Sequence, residues 1–453
     1  MIFNRSIEIL SFPSNLYVRL RKLLPKSNTQ SRGKRKLSHD NQIISDQRGS
    51  FSCSSTDGVK LIQKFEIPKV GNLRVYLKSD STIGISQSRG ERPYQEDRTT
   101  VGSLHLQNSG LIKSISGLPL VDRVDLTSRS KSSCFQALLV GVIDGHGGSE
   151  ASEFLAENLP RLVEECESSQ VPKAIRTYRA IGGYFKRFRG GYLESLGELV
   201  YSKRISSPII MGLAERLYLA FMLADQSLIE SHPKSGAVAT VALVCPLEEE
   251  NDQTQYPWFS SKLVSLTIAH VGDTMALLCN SKSGRAIRLT QDHHPDSRIE
   301  SERLRRIGSG LITDSFGESR WGGTLANTRG LGDSNFKKIG VTGEPDIMKR
   351  ILRDWAFLAL VSDGISGVIT DQEIVDLCRG QSNPKTAAER IVKFAEQLGS
   401  RDNMTVMILP FMMWGKIGGE DLTFDRREFR LKQISNQNIR QRRIKKQELG
   451  LIT

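Results

Sequence analysis

The sequence predicts an α+β fold built from layers of sheet and helix. Short, nearly continuous apolar runs of strand length recur along the chain and are bounded by glycine, proline or acidic residues. Segments with helical spacing of apolar residues lie between groups of these runs rather than after each one. This order indicates layered sheets and helices rather than the strict alternation of a parallel α/β protein.

The length of the chain, 453 residues, exceeds the usual size of a single core, so we expect one large domain with extensions, or two domains. No apolar run approaches the ~18 residues that cross a bilayer, so we expect no transmembrane segment. The six cysteines are scattered without a CxxC pair, which argues against a zinc site or a disulfide framework. We therefore expect free thiols in a reducing compartment.

The net charge of +13 belongs to the two ends of the chain. Residues 1–40 contain nine Lys or Arg and two acidic residues, and residues 413–453 contain ten and five. The rest of the chain is left nearly neutral. A nucleic-acid-binding domain would carry positive charge on its folded body, so we expect no nucleic-acid partner.

Residues 1–40 are basic, with leucines at helical spacing among arginines, which is typical of a mitochondrial presequence. A disordered basic tail or a nuclear import signal at residues 32–36 is the alternative. We expect a mitochondrial location, in the matrix or the intermembrane space. Residues 41–72 are polar and are expected to form a linker, residues 73–412 the folded domain, and residues 413–453 a basic tail.

The elements of the folded domain follow from the periodicity. Apolar runs predict six strands, at residues 135–143, 236–244, 263–270, 275–279, 357–361 and 404–409. Helical patterns lie at residues 211–230, 297–307, 371–378 and 385–398. Three segments are expected to be insertions: a loop at residues 104–133, a basic segment at 168–208 and an acidic loop at 246–260.

The strand at residues 135–143 runs into the motif GVIDGHGG at residues 141–148. This motif places Asp144 and His146 at a strand end, where glycines let other groups approach the backbone. A helix capped by Ser149, with acids in its first turn, is predicted to follow. An Asp-Gly pair at a strand end is usually only a turn. The motif alone therefore does not establish a catalytic site, and the other acidic residues of the chain have to be considered with it.

Other acidic residues also stand at strand ends or beside an arginine: Glu96 and Asp97 after Arg92, Asp273, Asp363 and Asp402. Converging carboxylates raise one another's pKa values unless a cation neutralises them. Carboxylate and carbonyl oxygens suit Mg²⁺ or Mn²⁺ better than zinc, and a neighbouring arginine indicates phosphate. Two such ions can activate a shared water, and a histidine nearby can protonate the leaving oxygen.

The ordered set of motifs resembles the protein phosphatase 2C family, the metal-dependent (PPM) Ser/Thr protein phosphatases. The motifs are RPYQED, GVIDGHGG, SGAVATVALV, AHVGDTMALL, LTQDHHP, LANTRGLGD, VSDGISG and RDNMT, spread over roughly residues 80–410. The chain is most similar to the mitochondrial fungal branch. The resemblance implies a four-layer αββα sandwich: two central antiparallel sheets flanked by helix pairs, with the metals in a cleft at one end.

By this resemblance, two Mg²⁺ or Mn²⁺ ions would be held by Glu96, Asp97, Asp144, the carbonyl of Gly145, Asp363 and Asp402. Asp144 would bridge both ions, and the bridging hydroxide would be the nucleophile, without a phosphoenzyme. Arg92 would bind the substrate phosphate and His146 would be the general acid.

One departure from the family pattern is Gly367, which stands where an Asp commonly helps to bind a third, weaker metal. Asp273 keeps the other position of that third site, so we expect two metals and a weakened or absent third. Four further polar residues of the motifs are expected to be structural: Asp292, His293, His294 and Arg329.

The resemblance implies hydrolysis of phosphoserine and phosphothreonine on protein substrates, by a monomer. The alternative is a catalytically weak pseudophosphatase that docks a partner. That alternative predicts a lost metal ligand, yet Asp97, Asp144, Asp363 and Asp402 are all present.

Overall fold

Two antiparallel sheets form the centre of the protein, as shown by a computed structural model. The structure describes residues 7–9, 60–67, 71–119, 134–181, 192–202, 209–231, 234–247, 255–305, 311–313, 319–321 and 326–435. The strands are β1 (Ile7–Ile9), β2 (Ile62–Ile67), β3 (Gly71–Tyr76), β4 (Gly84–Ser88), β5 (Arg98–Gln107), β6 (Cys134–His146), β7 (Gly236–Leu247), β8 (Leu263–Val271), β9 (Met275–Asn280), β10 (Ala286–Arg288), β11 (Leu311–Thr313), β12 (Ser319–Trp321), β13 (Leu331–Gly332), β14 (Asp346–Arg353), β15 (Trp355–Val361) and β16 (Met404–Pro410).

The helices lie between and after these strands. They are α1 (Asn108–Ile115), α2 (Glu150–Glu165), α3 (Val171–Ile181), α4 (Tyr192–Ser202), α5 (Leu213–Ser231), α6 (Arg298–Arg305), α7 (Ser334–Lys337), α8 (Asp363–Ser366), α9 (Asp371–Leu377), α10 (Pro384–Gln397) and α11 (424–435). Among the helices of the described residues, none has the length and apolarity needed to cross a membrane.

The two central sheets are antiparallel throughout. One has the strand order β14-β8-β7-β6-β5, with β13 paired to β7, and the other has the order β10-β9-β15-β16-β4. Two smaller sheets, β1-β3-β2 and β11-β12, complete the topology of the described residues. The six strands predicted from apolar runs are all present, within a few residues at each end.

Three apolar layers give the αββα order. Helices α1, α2 and α5 cover one face of the first sheet, the two sheets pack against each other, and α9 and α10 cover the far face of the second. Strand β6 shows how one segment serves two layers, because successive strand side chains point to opposite sides. Leu139 and Ile143 pack towards the helices, whereas Leu138, Val140 and Val142 pack between the sheets.

Local sequence explains where several helices begin. Asn383 caps α10 by accepting from the backbone N–H of Lys385, and proline follows it at the first helical position. Thr370 and Glu373 form a capping box at the start of α9. Ser149 stands at the predicted cap position of α2, but its hydroxyl donates to Glu153 at 3.1 Å and caps no backbone N–H.

The predicted linker at residues 41–72 is wrong over its last part, because β2 pairs with β3 there. Its pattern IQKFEI alternates, and the buried positions are Gln63 and Phe65. The amide of Gln63 donates to the carbonyl of Ala137 at 3.2 Å, so a polar residue occupies a core position. Of the predicted presequence, Ile7–Ile9 pair in parallel with β3, and its other residues lie outside the described part of the chain.

Two further segments are more ordered than the sequence predicted. The loop expected at residues 104–133 begins with the end of β5 and with α1, where four apolar side chains are buried: Leu104, Leu106, Leu111 and Ile115. The expected tail at residues 413–453 contains α11, whose Arg430 donates to both carboxylate oxygens of Glu373 at 3.0 and 2.8 Å. Residues 120–133 and 436–453 lie outside the described residues.

Candidate functional site

The acidic residues singled out by sequence lie at one end of the two central sheets: Asp97 before β5, Asp144 in β6, Asp273 after β8, Asp363 after β15 and Asp402 before β16. The register brings them together. In the first sheet Ile143 pairs with both Arg98 and Ala239, and Ala239 also pairs with Val271. In the second sheet the end of β15 pairs with the start of β16.

Asp97 connects the ends of the two sheets. It is 1% exposed, and its Oδ2 accepts hydrogen bonds from the hydroxyls of Ser362 at 2.8 Å and Thr405 at 2.7 Å. In the part of the chain that the structure describes, its Oδ1 has no hydrogen-bond partner. A buried carboxylate oxygen without a donor is costly unless a cation or water satisfies it.

The pKa values show that the carboxylates act on one another. Desolvation, reinforced by the charges of Asp363, Asp97 and Asp273, raises the pKa of Asp144 well above its ordinary value. A side-chain hydrogen bond also joins Asp144 and Asp363. Desolvation and the charge of Asp402 likewise raise the pKa of Asp363. Desolvation and mutual repulsion therefore make it unfavourable for all the carboxylates of the cluster to be ionised together.

The pKa values of Asp97 and Asp273, the other two carboxylates of the cluster, are also raised. Burial raises the pKa of Asp97 to about 6, against the hydrogen bonds from Thr405 and Ser362. Desolvation and the charge of Asp363 raise the pKa of Asp273 to about 7.

The loop that carries Arg92 and Glu96 is held against β16 by Asn403. The Asn403 amide donates to the carbonyls of Arg89 and Tyr94 at 3.0 and 2.9 Å, and its Oδ1 accepts from the N–H of Glu96 at 2.7 Å. Arg92 donates to Asp402 at 2.6 Å and is 56% exposed. Its guanidinium is therefore accessible to an incoming anion beside the carboxylate cluster.

The glycines of GVIDGHGG are required by close packing. A Cβ at Gly145 would lie 2.6 Å from the carbonyl oxygen of Glu96 and 2.8 Å from Oγ of Ser152. Gly148 has a φ of +121° and donates its N–H to Glu96 Oε1 at 2.8 Å. The loop after β6 thus holds Glu96 beside Asp144.

His146 extends from the end of β6 towards Asp333. Its Nε2 lies 2.8 Å from Oδ1 of Asp333, and its side chain is 41% exposed. Desolvation lowers the pKa of His146, but the hydrogen bond and charge of Asp333 outweigh it, and the net shift is upward. The charges of Asp273 and Glu96 also act on the ring, so it lies near the carboxylate cluster.

The cluster fits a hard divalent cation chemically, because it offers carboxylate oxygens, a strained concentration of charge and the unpartnered Oδ1 of Asp97. As they stand, however, no three His, Cys, Asp or Glu side chains of the described residues are in place to hold an ion. In this arrangement Asp402 pairs with Arg92, and Asp144 with Asp363. Binding of a cation by these carboxylates therefore requires the Asp402–Arg92 and Asp144–Asp363 contacts to separate.

Two of the four residues expected to be structural, Arg329 and His293, are buried among charged partners. Arg329 forms ion pairs with Glu300 at 2.6 Å and with Asp346 at 2.7 Å. His293 is buried, accepts the N–H of Gly272 at 2.9 Å and contacts Asp346 at 3.0 Å. The two remaining members form local pairs on the surface, Asp292 with Arg288 and His294 with Asp296.

Sequence reasoning did not assign the residues that support the cluster: Asp333, Ser362, Asn403 and Thr405. Ser362 and Asn403 directly adjoin the predicted ligands Asp363 and Asp402, and this adjacency is the signal that could have found them. Asp333 is 187 residues from His146, and only the sheet register relates the two.

Comparisons with known proteins relate the chain to one family. The model of the family described as Protein phosphatase 2C matches residues 192–404. Protein phosphatase 2C homolog 4 of Schizosaccharomyces pombe is 33% identical over 356 residues, which cover 76% of this chain and 84% of the relative. Protein phosphatase 1K, mitochondrial, of Xenopus laevis is 30% identical over 292 residues, covering 63% of this chain and 64% of that protein.

Solved structures are also similar. A serine-threonine phosphatase 2C from Toxoplasma gondii shares 21% sequence identity with a TM-score of 0.45, over 73% of this chain and 94% of that chain. A C. elegans sex determining protein shares 20% identity with a TM-score of 0.48, over 74% of this chain and 67% of that chain.

Proposed function

Since the chain belongs to the protein phosphatase 2C family and is a protein serine/threonine phosphatase, we propose that it hydrolyses phosphoserine and phosphothreonine at the carboxylate cluster with two divalent cations. The cations would be Mg²⁺ or Mn²⁺, held by Glu96, Asp97, Asp144, the carbonyl of Gly145, Asp363 and Asp402. When bound, they lower the pKa of water and neutralise phosphate charge.

The observation that carries this proposal is the convergence of Asp97, Asp144 and Asp363, whose desolvated charges raise one another's pKa values beside an unpartnered carboxylate oxygen. Such an arrangement is unfavourable for the fold alone, and perturbed groups of this kind cluster at functional sites. The docking alternative has no comparable support, since it predicts a lost metal ligand and none of the four core carboxylates is missing.

The other residues of the cleft have separate roles in this proposal. Arg92 would release Asp402 and bind the substrate phosphate through its planar guanidinium. His146 would donate a proton to the side-chain oxygen of serine or threonine as it leaves the phosphorus. Gly367 supplies no carboxylate at the position that the family resemblance pairs with Asp273, so we propose two metals rather than three.

The setting of the enzyme is proposed on weaker grounds. The presequence-like residues 1–40 and the similarity to a phosphatase named as mitochondrial support a mitochondrial location. We propose that the protein acts there as a monomer on phosphoproteins. Import of the radiolabelled full chain into isolated mitochondria, with protection from added protease, tests this location, and a chain that stays accessible to protease contradicts it.

The proposed chemistry is tested by phosphate release from a phosphothreonine peptide, measured for the full chain in EDTA and in titrations of Mg²⁺ and Mn²⁺. Asp144→Asn and Asp363→Asn should lower the rate by at least roughly 100-fold because each removes a charged ligand. Asp296→Asn is the matched control, since it changes an exposed Asp that forms an ion pair with the neighbouring His294. Its rate should equal that of the wild type.

Two results would contradict the proposal. Wild-type turnover that persists in EDTA would remove the role of the cations. A folded protein that releases no phosphate at any metal concentration would favour the docking module instead.

A further inference from the structure

Asp333 has a backbone conformation and a side-chain direction that its place in the chain does not require. It stands at the N-cap of α7 with φ 49° and ψ 43°, a left-handed conformation that is unfavourable for residues other than glycine. Asp at this position normally accepts a hydrogen bond from the helix. Here its side chain makes no capping bond, and its Oδ1 lies 2.8 Å from Nε2 of His146 instead.

The sheet register places glycines where the side chains of His146 and Asp333 meet. His146 pairs with Gly236, and Gly236 pairs with Gly332, the residue before Asp333. A Cβ at Gly236 would lie 2.3 Å from Asp333 Oδ1 and 2.4 Å from His146 Nε2. A Cβ at Gly330 would lie 2.4 Å from the other carboxylate oxygen of Asp333. Glycines on two sides therefore make room for the carboxylate.

A buried ion pair fixes the backbone on both sides of Asp333. Asp225 of α5, which is fully buried, accepts from the N–H of Gly332 at 2.7 Å and from Nζ of Lys337 at 2.8 Å. Lys337, which is 3% exposed, also donates to the carbonyl of Gly330 at 2.7 Å. A buried pair of this kind is a weak source of net stability. Its geometric effect is to hold residues 330–337 against α5.

We propose that Asp333 is the positioning residue of His146, and that the Asp225–Lys337 pair holds Asp333 in place for that purpose. This inference rests on the proposed function. With Nε2 bonded to Asp333, Nδ1 is the nitrogen presented to the substrate, and the ring cannot rotate freely. Water releases one proton to solvent as its oxygen bonds to phosphorus. The bond from phosphorus to the Ser or Thr oxygen breaks with its electron pair on that oxygen, and the oxygen takes the proton from Nδ1. The exposed edge of the ring then regains a proton from solvent.

The test compares two leaving groups. The oxygen of serine or threonine must be protonated as it leaves, whereas p-nitrophenolate is a weak base and leaves without help. Asp333→Gly is the informative variant, because glycine adopts the left-handed conformation without strain while the carboxylate is removed. It should lower kcat on a phosphothreonine peptide roughly 10- to 100-fold with little change in KM, and lower kcat on p-nitrophenyl phosphate less than about threefold. Asp333→Asn retains an accepting oxygen and should fall between Asp333→Gly and the wild type.

A double-mutant cycle separates positioning from a structural role. In a His146→Ala background, Asp333→Gly should lower the peptide rate by less than about twofold, because the histidine through which it acts is gone. Asp296→Asn, in an exposed Asp–His pair, is the control and should behave as the wild type. Thermal melting confirms that each variant is folded.

The outcomes are distinguishable. Equal losses on the two substrates, or losses that multiply with His146→Ala, would overturn the role of Asp333 while leaving the phosphatase proposal intact. A wild-type protein that is inactive on both substrates in Mg²⁺ and Mn²⁺ would overturn the proposed function, and this inference with it.

Discussion

Glu300 is 1% exposed yet stays ionised, because two arginines bind it. Arg303 and Arg329 donate to its carboxylate at 2.8 and 2.6 Å, and both guanidinium groups are about nine-tenths buried. Burial opposes the charge, but the two ion pairs outweigh it and lower the pKa of Glu300 to about 2. Arg329, which belongs to one of the family's motifs, thus serves the fold here rather than the substrate.

This network predicts a specific dependence of stability on pH. The pKa of Glu300 is lower in the folded state than in the unfolded state, so its contribution is complete above about pH 4.5 and is lost as the pH falls towards 2. Glu300→Gln should therefore lower the free energy of unfolding by about 3 kcal/mol at pH 7, and by progressively less below pH 4. Urea denaturation at several pH values measures the difference.

The control is Glu302→Gln, which changes an exposed neighbour on the same helix, 54% exposed and paired with Arg298. It should alter stability by less than about 0.5 kcal/mol. A gap between wild type and Glu300→Gln that stays constant from pH 7 to pH 3 would contradict the assignment of the low pKa.

At the level of elements, the strands and helices that were predicted from sequence are those with a clear apolar pattern. Strands β6, β7 and β8 are buried over nearly their whole length, so each reads as a continuous apolar run. Strand β2 was missed because its core includes Gln63. The attachment of α11 to the domain was missed because charged residues make it. Hydrogen bonds and ion pairs across the chain leave no periodic signal in the segment that makes them.

The attachment of α11 predicts that the C-terminal segment stabilises the domain. Arg430 binds Glu373 and the carbonyl of Val368, and the hydroxyl of Thr423 donates to Asp376 at 3.0 Å. The side chains of Glu373 and Asp376 are fully buried. Arg430→Ala should lower the free energy of unfolding by about 1–3 kcal/mol, because it leaves a buried carboxylate with fewer donors.

Chemical denaturation of the full chain measures this effect. Lys432→Ala, on the same helix, is the control and should change stability by less than about 0.5 kcal/mol, as is usual for surface substitutions. An Arg430→Ala protein as stable as the control would show that α11 is not held to α9 in solution.

At the scale of the whole molecule, the site exists only where the two sheets meet. The acidic residues could be singled out from sequence because they stand at strand ends or beside an arginine, and the family resemblance then implied their role as ligands. Their supports could not, since Ser362 and Thr405 reach Asp97 from more than 260 positions away, across the interface between the sheets. Likewise, the contact between Asp333 and His146 depends on two glycines in register, which the sequence alone does not reveal.

The concentration of charge at this interface predicts opposite effects of one substitution with and without metal. Asp144→Asn removes a desolvated charge that Asp363, Asp97 and Asp273 repel. In EDTA the variant should therefore melt at a higher temperature than the wild type, since repulsion between the active-site carboxylates destabilises the folded wild-type protein. Mg²⁺ at about 100 times its dissociation constant should raise the wild-type Tm by about 5 °C, and the Asp144→Asn Tm far less. Differential scanning calorimetry measures both values without any assay of turnover, and an equal Mg²⁺ shift in the two proteins would place the cation outside this cluster.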